Sequence, residues 1–493
     1  MENGFNKVSG SELLKKPIFI LALLLLMVAL AYLVGKGGMV AGLGILMFPF
    51  LISYVFLIFM VPRAGMIGIY ILNFVVLGLL RYVKGLPLGL SIDAHFLLIY
   101  LSLFFISFFR KIPWENAKND IVLLAVIWYG YTLFQLVNPE AASRAAWFYA
   151  MRGVSLYMLF TLPLIFILFN SRRDLDLLFK IWAILSIMAT LKGIQQKVFG
   201  PDPWEQAWLD GGGALTHILF GKLRVFSFYS DAGQFGGAQG HAGVVFLILA
   251  MNKKKTDALR ILYVIAGLFG VYGMMISGTR GAIAVPIMGF ALYVMLRKNF
   301  KVIVLGAAMG LAVFVFFKYT TIGSGNYTIN RMRTAFDPND ASLQVRLENQ
   351  RKLKSYMAAR PFGGGIGSSG NWGQRFTPNT FLANTPTDSW YVAIWAEQGV
   401  VGLMLHLFIL FYVVIKSSYI IMFKIRDDWI RAQMSALVCG MFGIMVASYG
   451  NGILGQMPTG ILIYSSMGFL FLAKQFDDEA IQEKETVEST SKK

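Results

Sequence analysis

A single cysteine, Cys439, stands in a chain of 493 residues, so neither a disulfide framework nor a thiolate metal site can be built. Charge is scarce too: 14% of the residues are Asp, Glu, Lys or Arg, against 57% hydrophobic. A soluble domain could not hide that much apolar surface, and the mean hydropathy of +0.62 points to a polytopic membrane protein. No small-residue cleavage site follows the first apolar run, PIFILALLLLMVALAYLV, which is expected to stay as a first span. There is no evident internal repeat, and Arg152 and Lys192 are among the few charges inside apolar runs. Acidic residues are the scarcer sign, 26 against 44 Lys and Arg, a net charge of +18. In a soluble protein that excess would suggest nucleic acid. In a membrane protein it collects in cytoplasmic loops, so no nucleic-acid partner is expected.

Apolar runs of spanning length lie at about 17–34, 38–60, 64–83, 91–109, 120–137, 147–169, 174–199, 236–251, 257–277, 280–297, 300–318, 389–416, 430–449 and 452–473. The expected fold is therefore an all-α, polytopic transmembrane helix bundle of about 12–14 spans, the eighth run being short for one. Lys and Arg alternate in register with the runs. Clusters such as Arg172–Arg173, Lys253–Lys255 and Arg297–Lys298 fall on one side, and only Lys36, Arg81, Lys84 and Arg144 on the short loops of the other. The positive-inside rule then puts both termini in the cytoplasm and two longer loops, about 200–235 and 319–388, outside. This divides the chain into N-terminal spans (1–199), spans with the first outer loop (200–318), a large outer loop (319–388), C-terminal spans (389–473) and a charged tail (474–493) expected to be disordered.

Much of the polar inventory reads as structural. His95 and His406 have no second ligand at helical spacing and read as packing residues. Asp174 and Asp176 form a D-x-D pattern but open a helix, where acidic residues suit the dipole. Trp204 and Trp208 suit a membrane interface, and Gly211–Gly213 lacks the following helix and Lys of a phosphate loop.

Chemistry concentrates elsewhere. Arg224 stands just before the Gly-rich eighth run. Arg280 closes the ninth run in SGTRGA, on the side where the topology avoids arginine, beside glycines that let a ligand approach the backbone. The large loop carries a helix expected over 342–360, stopped by Pro361. Leu343, Leu347, Leu353 and Met357 form one stripe, and Arg346 and Gln350 fall within it, so Arg346 meets either an anion or a salt-bridge partner. The run Gly363–Gly364–Gly365–Ile366–Gly367 suits a tight connection or an anion nest. The loop ends in NTPTDSWY, where Asp388 is placed either to cap the next helix or to act as a general base at the membrane edge.

The order of these pieces resembles the bacterial O-antigen ligase and O-antigen or exopolysaccharide polymerase superfamily. Arg224, SGTRGA, VRLENQRK…ARPFGGGIG and the polar box running into SWYVAIWAEQGVVGL carry the resemblance, over about residues 220–415. Tyr391, Glu397, Gly399 and Gly402 keep the family's last spacing. The resemblance implies a membrane-embedded, GT-C type, inverting glycosyltransferase needing no metal or other cofactor, in a bacterial inner membrane. Its donor would be a glycan on polyprenyl diphosphate, its acceptor a glycan or lipid, and a chain-length regulator a possible partner. Asp388, Arg280 and Arg346 would be catalytic. Arg224, Arg280, Arg346, Gln350, Arg360, Gly364 and Gly365 would bind the diphosphate or glycan. Ligases of the family usually place a His where this chain has Thr387–Asp388, which favours a polymerase. A ligase, a lipid-linked glycan flippase and a non-catalytic export partner are the rival readings. A flippase would call for cavity-lining charges and pseudo-symmetry that the sequence does not display.

Overall fold

The computed structural model describes residues 17–83, 88–219, 221–334, 337, 339 and 341–491. The segment ahead of Pro17, Lys84 of an expected outer loop and the last two tail residues lie outside that set. Helix dominates because an α-helix pairs its own backbone polar groups, which hydrocarbon cannot satisfy. Strand among the described residues is one short antiparallel pair, Ile218–Leu219 (β1) with Lys222–Leu223 (β2).

The first helices are α1 (Pro17–Met60), α2 (Pro62–Leu79), α3 (Ser91–Ser107), α4 (Asp120–Phe134), α5 (Arg144–Leu168, with a π-helical turn at Arg152–Leu156) and α6 (Arg172–Phe199). Next come α7 (Ala232–Asn252), α8 (Ala258–Ile276), α9 (Ala284–Leu296) and α10 (Phe300–Tyr319). The large loop holds α11 (Tyr327–Arg333), α12 (Ala341–Met357) and α13 (Gly370–Phe376), and the chain closes with α14 (Trp390–Phe423), α15 (Asp428–Ala447), α16 (Thr459–Phe471) and α17 (Ala473–Ser491).

Ten helices are long and apolar enough to cross a membrane, and three shorter apolar ones accompany them among the described residues. The fold is the expected all-α polytopic bundle, with two runs bounded differently. Runs 17–34 and 38–60 form one helix, α1, broken at Gly38 where φ is +61°. The last run becomes helical only at Thr459, because Ser448 to Pro458 is a series of turns. The eighth run is not short: α7 has 21 residues.

That helix is the middle of the bundle. Its glycines let neighbours approach until backbones touch: a Cβ on Gly270 of α8 would lie 2.6 Å from Gly243 N and 2.7 Å from Gln239 O. Lipid tails are as apolar as leucine, so helices in a membrane associate by close van der Waals contact, which small residues maximise. By contrast α10 has no buried residue and turns its apolar surface outward.

The tail corrects an expectation. Residues from Ala473 form helix α17, docked on the bundle rather than disordered. Ala473, Phe476, Asp477 and Ala480 are buried, at helical spacing that the surrounding charges obscure in the sequence. Asp477 accepts the amides of Arg426 and Asp427 at 2.8 and 2.7 Å, fastening the tail to the α14–α15 junction.

The α7–α8 contact predicts a steric effect. Gly270→Ala should destabilise the protein by about 1–3 kcal/mol, since the new methyl group meets backbone. Gly130→Ala, where a Cβ meets open space, should not lower the melting temperature. Thermal unfolding in detergent compares them, and equal melting temperatures would contradict the packing.

Candidate functional site

Five segments distant in sequence meet at one end of the bundle. Gly278, at φ +61°, reverses the chain where α8 ends. Thr279 then holds the turn: its amide donates to Ser277 Oγ at 3.1 Å and its hydroxyl to Ala232 O at 2.8 Å. The Thr279 oxygen also accepts Arg224 Nη2 at 3.0 Å, while Arg224 Nη1 donates to Thr216 O at 3.0 Å. One threonine thus brings Arg224 beside the turn that carries Arg280. Arg280 Nη1 donates to Thr334 Oγ1 at 3.0 Å, which ties it to the end of α11.

The turn after α15 links these groups to the large loop. A Cβ on Gly281 would lie 2.1 Å from Asn451 Nδ2, and one on Gly450 would lie 3.7 Å from Arg346 Nη1. Gly450 and Asn451 therefore touch both arginine-bearing segments. The same turn anchors the start of α14: Trp390 N donates to Ser448 O at 3.0 Å and Asn451 O at 3.3 Å, and Ser389 Oγ donates to Ser448 O at 3.3 Å.

Asp388 stands immediately before that anchor. The cap of α14 is Ser389, whose hydroxyl oxygen accepts Val392 N, so capping is not the role of Asp388. Its own backbone is left-handed, φ +48°, a region L-residues avoid and Asp tolerates better than most. Such residues cost about 1–3 kcal/mol and persist where the surroundings over-determine them. Its carboxylate oxygen lies 4.0 Å from Arg346 Nε, with the two side chains 46% and 34% exposed. A pair that exposed contributes at most about 1 kcal/mol. It does not offset the backbone strain, and the carboxylate stays open to an incoming group.

On α12 the expected stripe departs only at its first residue. Leu353 and Met357 are buried, Leu347 is half-buried and Leu343 is exposed, while Arg346 and Gln350 are half-buried beside them. Three expected ligands change role. Arg360 Nε donates to Glu140 at 2.9 Å and its guanidinium lies 4.0 Å from the Tyr356 ring centre, so it braces the loop. The amides of Gly364 and Gly365 donate to Ala396 O and Glu397 O, both at 2.9 Å, so they do not form an anion nest.

Those carbonyls are available because α14 breaks at Gly399, φ +69° and ψ −173°. Gln398 O, also released by the break, accepts the Tyr131 hydroxyl at 2.7 Å. Glu397 accepts Ser369 Oγ at 2.7 Å and Ser369 N at 3.2 Å, which holds the start of α13. The spacing Glu397-x-Gly399 is therefore a docking device for the loop. Sequence reasoning missed Gly450 and Asn451. Their only signal is the polar SYGNG interruption between two apolar runs.

The bland readings hold for the remaining polar residues. Asp174 completes a capping box with Ser171 and pairs with Arg63, and Asp176 accepts Gln433 Nε2 at 2.8 Å. His95 Nδ1 bonds Ser91 O at 2.9 Å, and His406 Nε2 accepts the Trp390 indole at 2.9 Å.

Comparison with known proteins points the same way. Residues 265–407 match the O-antigen ligase family model, a stretch that contains Arg280, Arg346, Asp388 and the Gly399 break but not Arg224. An O-antigen polymerase of Salmonella muenchen is 25% identical over 196 residues, 39% of this chain. The aligned region is 47% of that relative, so the chain spans about half of its length. Both findings support the O-antigen ligase and polymerase superfamily that the motif order resembles.

The left-handed backbone at Asp388 predicts a ranking of substitutions. Asp388→Asn, which tolerates φ above zero, should leave the melting temperature close to that of the parent. Asp388→Val should destabilise by about 1–3 kcal/mol, because a β-branched residue is poorly accommodated there. Equal melting temperatures for the two variants would overturn the assigned conformation.

Proposed function

We propose that this membrane protein, whose loop and following helix resemble those of the O-antigen ligases and polymerases, polymerises glycan repeat units carried on polyprenyl diphosphate. The observation that carries the reading is Asp388: a strained, half-exposed carboxylate, relieved of any capping role and 4.0 Å from Arg346.

In this reading the acceptor sugar hydroxyl lies against the Asp388 carboxylate, which takes its proton as the oxygen attacks the donor's anomeric carbon. The bond from that carbon to the diphosphate oxygen breaks, and the leaving group carries away the electron pair. Arg280 and Arg346, with Arg224 on the neighbouring turn, stabilise the negative charge that develops there. Guanidinium groups suit this because they stay protonated and can bind phosphate oxygens in pairs. A charge-stabilising group matters most where charge grows in the transition state. A single displacement of this kind inverts the anomeric centre. In this reading the Asn451 side-chain amide, beside Gly281, and Gln350, one turn along α12 from Arg346, orient the sugars. The outer face of the bacterial inner membrane, with both termini cytoplasmic, fits the distribution of Lys and Arg.

A ligase remains the second reading, favoured by the description of the matching family. Its chemistry is the same and its acceptor differs. The polymerase is preferred because Asp388 occupies the place where ligases usually carry His.

Purified protein in lipid, incubated with a lipid-linked repeat unit, separates the readings on a gel. A ladder from donor alone is the expected result, and product only with an added acceptor would indicate the ligase. Arg280→Ala and Arg346→Ala should each reduce the rate by at least about 100-fold, and Asp388→Asn by about 100- to 10,000-fold. Near-parent polymer from folded Arg280→Ala or Arg346→Ala would sink the diphosphate assignment.

A further inference from the structure

The helices that meet at the candidate site come together again at their far ends. There the ends of α7 and α9, the start of α8, the α14–α15 junction and α17 enclose an open cavity of about 840 Å³. Six cations and four carboxylates line it, so 6 − 4 leaves two positive charges in excess. Each carboxylate already has a cation. Lys253 pairs with Asp257 at 3.2 Å, Lys484 with Asp427 at 2.6 Å, Arg172 with Glu483 at 2.6 Å and Arg431 with Asp428 at 2.7 Å.

The two cations left over are Lys254 and Arg297, both exposed and neither with a carboxylate partner among the described residues. Arg297 meets neutral groups: Nη1 donates to Asn252 Oδ1 at 3.0 Å and its guanidinium lies 6.0 Å from the Tyr293 ring centre. The Trp429 ring forms part of the wall, with Lys253 Nζ 3.9 Å from its centre. The cavity thus offers excess positive charge, hydrogen-bond donors and an aromatic surface, at one end of the helix bundle.

We infer that this cavity is a binding site for a phosphate-bearing anion, carried either on an anionic phospholipid headgroup or on a soluble phosphate compound. Lys254 and Arg297 supply the charge that the resident carboxylates do not neutralise. Basic pockets between spans are suited to phosphate headgroups for this reason. The inference does not depend on the glycosyl-transfer reading, and its test reads binding alone.

Full-length protein is placed in nanodiscs of phosphatidylcholine with and without phosphatidylglycerol, and lipid retained after release is counted by native mass spectrometry. Inorganic pyrophosphate is titrated separately by calorimetry. The double variant Lys254→Gln/Arg297→Gln should bind roughly thirtyfold more weakly, and Lys254→Gln alone about fivefold, if each surface cation contributes about its usual share. Lys255→Gln, outside the cavity lining, controls for general surface charge. Selective phosphatidylglycerol retention, lost in the double variant and kept in Lys255→Gln, identifies a headgroup. Pyrophosphate binding with the same variant dependence, and no lipid selectivity, identifies a soluble phosphate. Equal binding by the parent and both Lys254 variants, all folded by thermal unfolding, or no binding of either probe, overturns the site.

Discussion

Two stretches of backbone touch where α14 breaks, and the candidate site depends on that contact. A Cβ on Gly399 would fall 1.9 Å from Pro361 O, and one on Gly363 would fall 2.4 Å from the backbone of Glu397 and Gly399. No side chain fits between these segments, so both sides need glycine and both use φ above zero. The break releases carbonyls that a continuous helix would keep, and the loop amides of Gly364 and Gly365 satisfy them. A buried backbone group left unsatisfied costs several kcal/mol, which makes the exchange hard to undo. The large loop is thereby held on the bundle at a fixed distance from the start of α14, where Asp388 stands.

The strained residue adjoins these anchors. Trp390 and Ser389 are fastened to the α15 turn on one side, and the loop is fastened at Gly363–Ser369 on the other. Asp388 stands just ahead of the anchored Ser389–Trp390 pair and holds a left-handed backbone, φ +48°. The exposed ion pair with Arg346 is weak, and the left-handed backbone favours Asp over most residues.

Five helices connect this end to the basic cavity at the other. Close contact through the glycines of α7 packs that middle section backbone against backbone. The tail helix α17 belongs to the far end, where Asp477 and Lys484 engage the α14–α15 junction. Its docking extends the polar surface there beyond the ends of the spanning helices.

What local pattern controls was legible in the chain itself. Apolar length determined an all-α membrane bundle, because hydrocarbon admits few other backbones. Arg280 stood out because the topology avoids arginine on its side, Arg346 because it falls within an apolar stripe, and Asp388 because a polar box runs straight into a span. Roles that depend on which partner lies opposite were decided only in three dimensions. Arg360 and Gly364 read as ligands in isolation, yet Glu140 and the Ala396 carbonyl occupy them. Asp388 lost its capping role to Ser389, and the Gly450–Asn451 turn gained a place between the Gly281 turn and Arg346 that its own neighbours do not announce. The charged tail looked disordered because its net composition hid a buried stripe that has meaning only against the bundle. Periodicity is a property of a few successive residues. Pairing between segments far apart in the chain is set by packing, which no single segment encodes.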